Sequence, residues 1–109
     1  MSSTRIVKRV DYQEFRDFID KYHNDIKVNP HAYFRISEAQ RKVYKDGYLI
    51  ATLVSEEPRL IGLQQNGRYA AFFSRKEEYL RIVFSVDHPK NIEIIANLIH
   101  YWTFVRFAQ

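Results

Sequence analysis

Residues 59–86, which read RLIGLQQNGRYAAFFSRKEEYLRIVFSV, decide the fold of this chain. They contain three runs rich in β-branched and aromatic residues, and turn signals separate the runs. The runs cover residues 59–65, 68–74 and 79–86. Asn66-Gly67 joins the first two and is the pair favoured in a type I′ turn, because both central residues of that turn need positive φ. Connections this short cannot cross over a sheet, so neighbouring strands are predicted to be antiparallel.

Further strands are predicted on both sides of this segment. Residues 48–54 and 92–102 are also runs of β-branched and aromatic residues bounded by polar turn segments. Residues 5–10 alternate charged and apolar side chains, which is typical of a short edge strand. The sequence therefore predicts a meander of four or five strands with an additional short strand near the N-terminus.

A helix is predicted to begin at Asp11, because Glu14 three residues later completes a capping box. Apolar residues then recur every three or four positions, which places them on one face of a helix. These residues are Tyr12, Phe15, Phe18, Ile19, Tyr22 and Ile26.

Residues 30–46 contain two more helix starts. Asn29-Pro30 has the order of an N-cap followed by proline at the first helical position. Ser37 and Gln40 form a second capping box, and the helix that follows is predicted to run to the residue before Gly47, its C-terminal stop. The sequence leaves open whether this segment is one helix or two short ones.

These patterns together predict an α+β fold in a single domain, residues 1–109. The N-terminal helices are expected to pack on one face of a four- to five-stranded antiparallel meander sheet, because a half-polar sheet must bury one face against other elements.

Composition limits the chemistry that the chain can perform. It has no cysteine, which excludes disulfides and thiolate nucleophiles, and its four histidines lack metal-site spacing, so no metal or other cofactor is expected. No apolar run reaches the roughly 20 residues of a membrane helix. The N-terminus lacks the apolar segment of a signal peptide. A cytoplasmic protein without membrane association is therefore expected. Its net charge of +4 favours an acidic partner such as nucleic acid.

One face of the predicted sheet carries arginine and tyrosine. Alternation along residues 79–86 places Leu80 and Phe84 on the core face, and Tyr79 and Arg81 on the opposite, open face. Arginine can bind phosphate and tyrosine can stack on bases, so this face is a candidate RNA-binding surface. The predicted nucleic-acid-binding residues are Arg68, Tyr79, His100, Tyr101 and Lys42. The alternative is that the arginines are ordinary solvent-facing strand residues.

His31 and Arg35 are candidates for catalysis. Four residues apart on a helix, they would share one face. A general base and an arginine suffice to cleave RNA, because the 2′-hydroxyl is the nucleophile and the arginine stabilises charge on the phosphate. The alternative is that His31 packs at the helix start and Arg35 pairs with Glu38.

Several short motifs resemble one known family. They are HAYFR at 31–35, ISEAQ at 36–40, KDG at 45–47, NGRY at 66–69 and YLRIVF at 79–84. In this order, and across about residues 30–100, they resemble the BrnT-type branch of the RelE/ParE-like toxin superfamily.

The resemblance implies a small, metal-independent endoribonuclease that an antitoxin protein neutralises by lying across the open face of the sheet. It implies catalytic roles for His31, Arg35 and Arg81, with Arg68 and Arg81 on the scissile phosphate. Tyr79 or Tyr101 would stack on a base.

Two other functions fit the same sequence. One is a non-enzymatic interaction module, such as a viral or accessory protein, that forms a homodimer through the apolar C-terminal strand with Ile95, Ile99 and Trp102. The other is a nucleic-acid-binding protein without catalysis.

Overall fold

The computed structural model describes residues 4–34, 36–87 and 90–101, and residues 100 and 101 are described by their backbone alone. The described residues form six strands and three α-helices. The strands are β1 (Ile6–Arg9), β2 (Ile26–Val28), β3 (Leu60–Gln64), β4 (Tyr69–Arg75), β5 (Glu78–Asp87) and β6 (Asn91–Tyr101). The helices are α1 (Tyr12–Tyr22), α2 (Glu38–Val43) and α3 (Asp46–Ser55), with one 3₁₀ helix at Pro30–Tyr33.

All strands belong to one sheet with the order β1-β3-β4-β5-β6-β2. Strands β3 to β6 form the predicted antiparallel meander, in which Ile82 of β5 pairs with Ala71 and Asn97 on either side. Strand β1 is an edge strand, antiparallel to β3. Strand β2 forms the other edge and runs parallel to β6. The α+β prediction is therefore confirmed, with six strands instead of four or five.

The helices cover one face of the sheet, which we call the front face. Leu80, Ile82 and Phe84 alternate along β5, and all three are fully buried on this face, as predicted. Their helical neighbours in the same apolar cluster are Phe15, Ile19, Tyr22, Leu49 and Leu53. Helix α1 begins where predicted, because an Asp11 carboxylate oxygen accepts a hydrogen bond from the backbone N–H of Gln13.

The opposite face, which we call the back face, differs from the expectation of an open surface. Ala70, Phe72, Tyr79 and Val83 are buried there, and Ile6 packs against this second apolar cluster. The alternation along β5 was predicted correctly, but Tyr79, which was expected on an open surface, is fully buried. Leu60 of β3 and Ala96 of β6 also pack against this second cluster.

The prediction for residues 48–54 was wrong, because this apolar run lies in helix α3 and not in a strand. Gly47 is the second residue of that helix and does not end the helix before it. Leu49, Thr52 and Leu53 are the buried residues, and their spacing of three and four is the period of a helix. Apolar residues on all sides hide this period in the sequence. Tertiary packing therefore outweighs the β propensity of the run.

Residues 26–28 were not predicted as a strand. Helix α1 ends at Tyr22, and Ile26, which was assigned to the helix, pairs instead with Ile92 of β6. A strand of three residues has no alternation of its own, so only its partner in the fold defines it. The segment from residue 30 is two separate helices, since the 3₁₀ helix ends at Tyr33 and α2 starts after its capping box at Ser37.

The hairpin between β3 and β4 uses a longer turn than the predicted type I′. Gly67 has a φ of 84°, whereas Asn66 is not among the residues with positive φ. The N–H of Gly67 donates to the carbonyl of Gln64 at 3.0 Å, and the N–H of Gln64 donates to the carbonyl of Arg68 at 2.7 Å. This is the pattern of a three-residue loop in which glycine takes the left-handed position.

Replacing each of two glycines by alanine tests these assignments. We expect Gly67→Ala to lower the free energy of unfolding by about 1 kcal/mol, because a Cβ is strained at positive φ. We expect Gly47→Ala to raise it by about 0.5 kcal/mol, because the site is helical and a Cβ there meets nothing within 4 Å. Urea unfolding of both variants gives the two values. A destabilising Gly47→Ala would support a helix stop at this position and contradict α3.

Candidate functional site

Arg68 and Arg81 line one cavity on the back face, which we call the back cavity. Its volume is about 310 Å³. Among the described residues, the lining consists of Thr4, Gln64, Asn66, Arg68, Arg81, Val83, Ile95, Ala96 and Leu98. Arg81 comes from β5, and Arg68 directly precedes β4. The predicted placement of the two arginines on the same side of the sheet therefore agrees with the structure.

The Arg81 guanidinium is partly buried, and no counter-charge pairs with it in the part of the chain that the structure describes. Its Nη2 donates to Oε1 of Gln64 at 2.6 Å and to the carbonyl of Thr4 at 3.2 Å. Its Cζ lies 5.3 Å from the centre of the Phe72 ring, a cation–π contact. The buried Nε has no hydrogen-bond partner. No carboxylate in the described ranges forms an ion pair with Arg81. Burial lowers the pKa of this guanidinium, because it penalises the charged form.

Gln64 and Asn66 connect the turn to Arg81. The Gln64 side chain is buried, and its Nε2 donates to Oδ1 of Asn66 at 3.1 Å. The same oxygen accepts the backbone N–H of Arg68 at 3.0 Å. This network fixes the amide that holds Arg81 and leaves the exposed Arg68 side chain without a described partner. Sequence reasoning missed Gln64, and its position at the end of a strand, beside the turn, was the available signal.

A second cavity lies at the front of the molecule, and we call it the front cavity. Its volume is about 560 Å³. The described residues that line it are Pro30, His31, Tyr33, Phe34, Arg41, Lys45, Asp46 and Gly47. They come from the 3₁₀ helix, from α2 and from the start of α3, so the fold brings together segments that are apart in the chain.

Hydrogen bonds fix the walls of the front cavity. The Tyr33 hydroxyl donates to Oδ1 of Asp46, and the Arg41 Nε donates to the Tyr33 carbonyl at 3.2 Å. Desolvation raises the pKa of Tyr33 most, and the hydrogen bond to Asp46 and the charge of Asp46 raise it further. The phenol therefore stays protonated and acts as a donor. Nδ2 of the buried Asn97 donates to the Ala32 carbonyl at 2.7 Å and ties the 3₁₀ helix to β6.

The two described members of the predicted catalytic group are not brought together. His31 lines the front cavity, whereas Arg81 lines the back cavity on the other face of the sheet. His31 belongs to a 3₁₀ helix that covers Pro30–Tyr33, and the predicted pairing of His31 with Arg35 stays a prediction, because Arg35 lies outside the described residues. Different elements therefore hold the two predicted halves of the site.

The other predicted binding residues fall into three groups. Tyr79 is fully buried, so its ring cannot stack on a base in this structure. Lys42 is exposed on α2. His100 and Tyr101 of β6 pair with Tyr79 and Glu78 of β5. The side chains of residues 100 and 101 lie outside the description. Of the predicted binding residues on the back face whose side chains are described, Arg68 and Arg81 are not buried, and both line the back cavity.

Neither a metal-binding cluster nor a membrane-spanning helix is found among the described residues. They contain no group of three or more histidine and carboxylate side chains placed to hold a metal ion. In the same ranges, no helix has the length and apolar character needed to cross a membrane. Comparison with protein-family models, with curated proteins and with solved structures finds no match to this chain.

Proposed function

We propose that this protein binds RNA and that Arg68 and Arg81 contact a backbone phosphate in the back cavity. The observation that carries the proposal is the partly buried Arg81 guanidinium, which lines the cavity and has no carboxylate partner among the described residues. Desolvating an uncompensated charge is costly, and an incoming anion offsets that cost through charge-assisted hydrogen bonds. The net charge of +4 adds a long-range attraction for a polyanion.

The surroundings of Arg81 favour a phosphodiester. Two arginines can contact the non-bridging oxygens from two sides, because Arg81 approaches from the floor of the cavity and the exposed Arg68 from its rim. The planar guanidinium geometry matches such oxygens in a bidentate contact. An antitoxin of the kind that the resemblance implies would cover this same cavity, and an RNA ligand agrees with a cytoplasmic location.

The back cavity supports RNA binding, and RNA cleavage needs a general base in addition. No histidine or carboxylate among the described lining residues offers a general base in the back cavity. Cleavage stays a prediction of the family resemblance, but a single site cannot use both His31 and Arg81, because the two lie on opposite faces of the sheet. Incubation of labelled RNA with the protein in EDTA, followed by gel electrophoresis, tests it directly, since a metal-independent nuclease still yields fragments under these conditions.

Fluorescence anisotropy with a labelled single-stranded RNA tests the binding. We expect the Arg68→Gln/Arg81→Gln double variant to lose at least about tenfold in affinity, since each charge-assisted hydrogen bond contributes about 1.5–3 kcal/mol. The slope of log affinity against log salt should fall in magnitude by about 0.7 for each lost phosphate contact.

Lys27→Gln is the control for a loss of charge away from the cavity, and it removes one positive charge, against two in the double variant, from an exposed site on β2 at the sheet edge beyond β6. Its affinity should change much less than that of the double variant. Equal affinities for the double variant and the control would show that RNA does not use the back cavity. Circular dichroism of each variant checks that the fold is retained.

A further inference from the structure

Three basic side chains around the front cavity have unused hydrogen-bond donors. The terminal nitrogens of Arg41 and the ammonium of Lys45 have no described partner, and the same holds for the His31 ring. The neighbouring carboxylate of Asp46 accepts from the Tyr33 hydroxyl and forms no ion pair with these bases. With Arg41 and Lys45 positive and Asp46 negative, the charged side chains described in the lining leave the cavity with a net positive charge.

An exposed aromatic ring stands beside these charges. Phe34 is 78% exposed and is one of the lining residues of the same cavity. A phenylalanine ring in water gains by stacking against a flat apolar partner, and nucleobases provide such a partner. Gly47 also lines the cavity, and because it has no side chain and open space around its Cα, the cavity has room for a ligand of that size.

We infer that the front cavity binds a nucleoside phosphate, with its base against Phe34 and its phosphate held by Arg41 and Lys45. The cavity volume of about 560 Å³ lies within the range of small-ligand sites, roughly 300–1,000 Å³. The second carboxylate oxygen of Asp46 has no described partner and can accept a hydrogen bond from a ribose hydroxyl. The ligand can be a free nucleotide or one nucleotide of an RNA strand, because both present the same groups.

This site is independent of the proposed RNA-binding surface. The front cavity lies beside the 3₁₀ helix on the helical face, and the back cavity is on the opposite face of the sheet. The two share no described lining residue. Either site can therefore fail its test while the other is retained.

Titration with adenosine 5′-monophosphate, followed by ¹H–¹⁵N NMR, tests the inference. We expect saturable shifts at the backbone amides of residues 31–34 and 41–47. Phe34→Ala should weaken nucleotide binding about tenfold, the scale of one base–aromatic stack, and leave the binding of inorganic phosphate unchanged. Lys45→Gln should weaken both ligands. Adenosine without phosphate should bind more weakly than the nucleotide.

Two controls match these variants. Val43→Ala shortens an exposed apolar side chain that, unlike Phe34, does not line the cavity. Lys27→Gln removes a positive charge outside the cavity. Both should bind adenosine 5′-monophosphate like the unmodified protein. The double variant Arg68→Gln/Arg81→Gln should also retain nucleotide binding, even where its RNA binding is lost.

The inference is overturned if Phe34→Ala and Lys45→Gln bind the nucleotide normally, or if the shifts map to Arg68 and Arg81 instead. Where the nucleotide does bind in the front cavity, a short oligoadenylate RNA separates the two sources of ligand. If Phe34→Ala weakens the oligonucleotide as much as the mononucleotide, the site takes a nucleotide from a strand. If the oligonucleotide does not displace the mononucleotide, the site takes the free nucleotide.

Discussion

Phe84→Ala is expected to lower the free energy of unfolding by about 3–5 kcal/mol, the cost of removing a large aromatic side chain from a core. Phe84 is fully buried in the middle of β5. Its ring stacks on Tyr69 with centroids 5.6 Å apart and meets Phe15 edge-on at 6.1 Å. The substitution removes contacts with both α1 and β4, so the cavity it leaves lies where helix and sheet join.

Urea unfolding followed by circular dichroism measures this loss. Phe84→Leu retains part of the volume and should lose less than Phe84→Ala. Val43→Ala is the control, since this side chain is 55% exposed on α2, and we expect its effect to stay within about 0.5 kcal/mol. An effect below about 1 kcal/mol for Phe84→Ala would mean that this position is not in the core, contrary to the packing described above.

The position of Phe84 could be predicted because strand alternation is a local property. In β5, every second side chain must share a face, and the apolar set therefore identifies the core side. The same rule, applied across the β4–β5 hairpin, predicted that Arg68 and Arg81 share a side, and both line the back cavity. This part of the candidate site follows from the sequence alone.

Burial of the back face could not be predicted in the same way. Tyr79 was expected to be available for stacking, yet it is fully buried in a second apolar cluster to which Ile6 of β1 contributes. The pairing of β1 with β3 brings this residue onto the sheet from more than 50 positions away in the chain. No local pattern around Tyr79 contains that information.

The front cavity was predicted only in part for a related reason. His31 stood out as a histidine near an arginine, but its described basic neighbours are Arg41 and Lys45. These come together because α2 ends at Val43 and α3 begins at Asp46. That break has no glycine or proline to mark it, and the sequence predicts instead that the helix after Ser37 continues to the residue before Gly47.

Arg75 is a structural arginine that the sequence did not distinguish from the others. Its guanidinium makes two hydrogen bonds to the Glu56 carboxylate, at 2.9 and 3.0 Å, and its side chain is only 18% exposed. It also donates to the Tyr48 hydroxyl at 2.7 Å and to Oγ1 of the buried Thr52 at 3.1 Å. One side chain of β4 therefore holds α3 from its first turn to the residue after its end.

We expect Arg75→Met to lower the free energy of unfolding by about 2–3 kcal/mol, because the buried Thr52 hydroxyl loses a charged donor and the exposed Glu56 carboxylate loses its bidentate partner. Arg75→Lys keeps the charge but not the bidentate geometry, so its stability should lie between those of Arg75→Met and the unmodified protein. Asp20→Asn is the contrast, since it breaks an exposed ion pair within α1, and such pairs contribute about 0.5 kcal/mol or less. Thermal and urea unfolding rank the three variants. A loss for Arg75→Met no larger than that for Asp20→Asn would mean that apolar packing alone positions α3. The front cavity would then not depend on this network for the placement of Asp46 and Gly47.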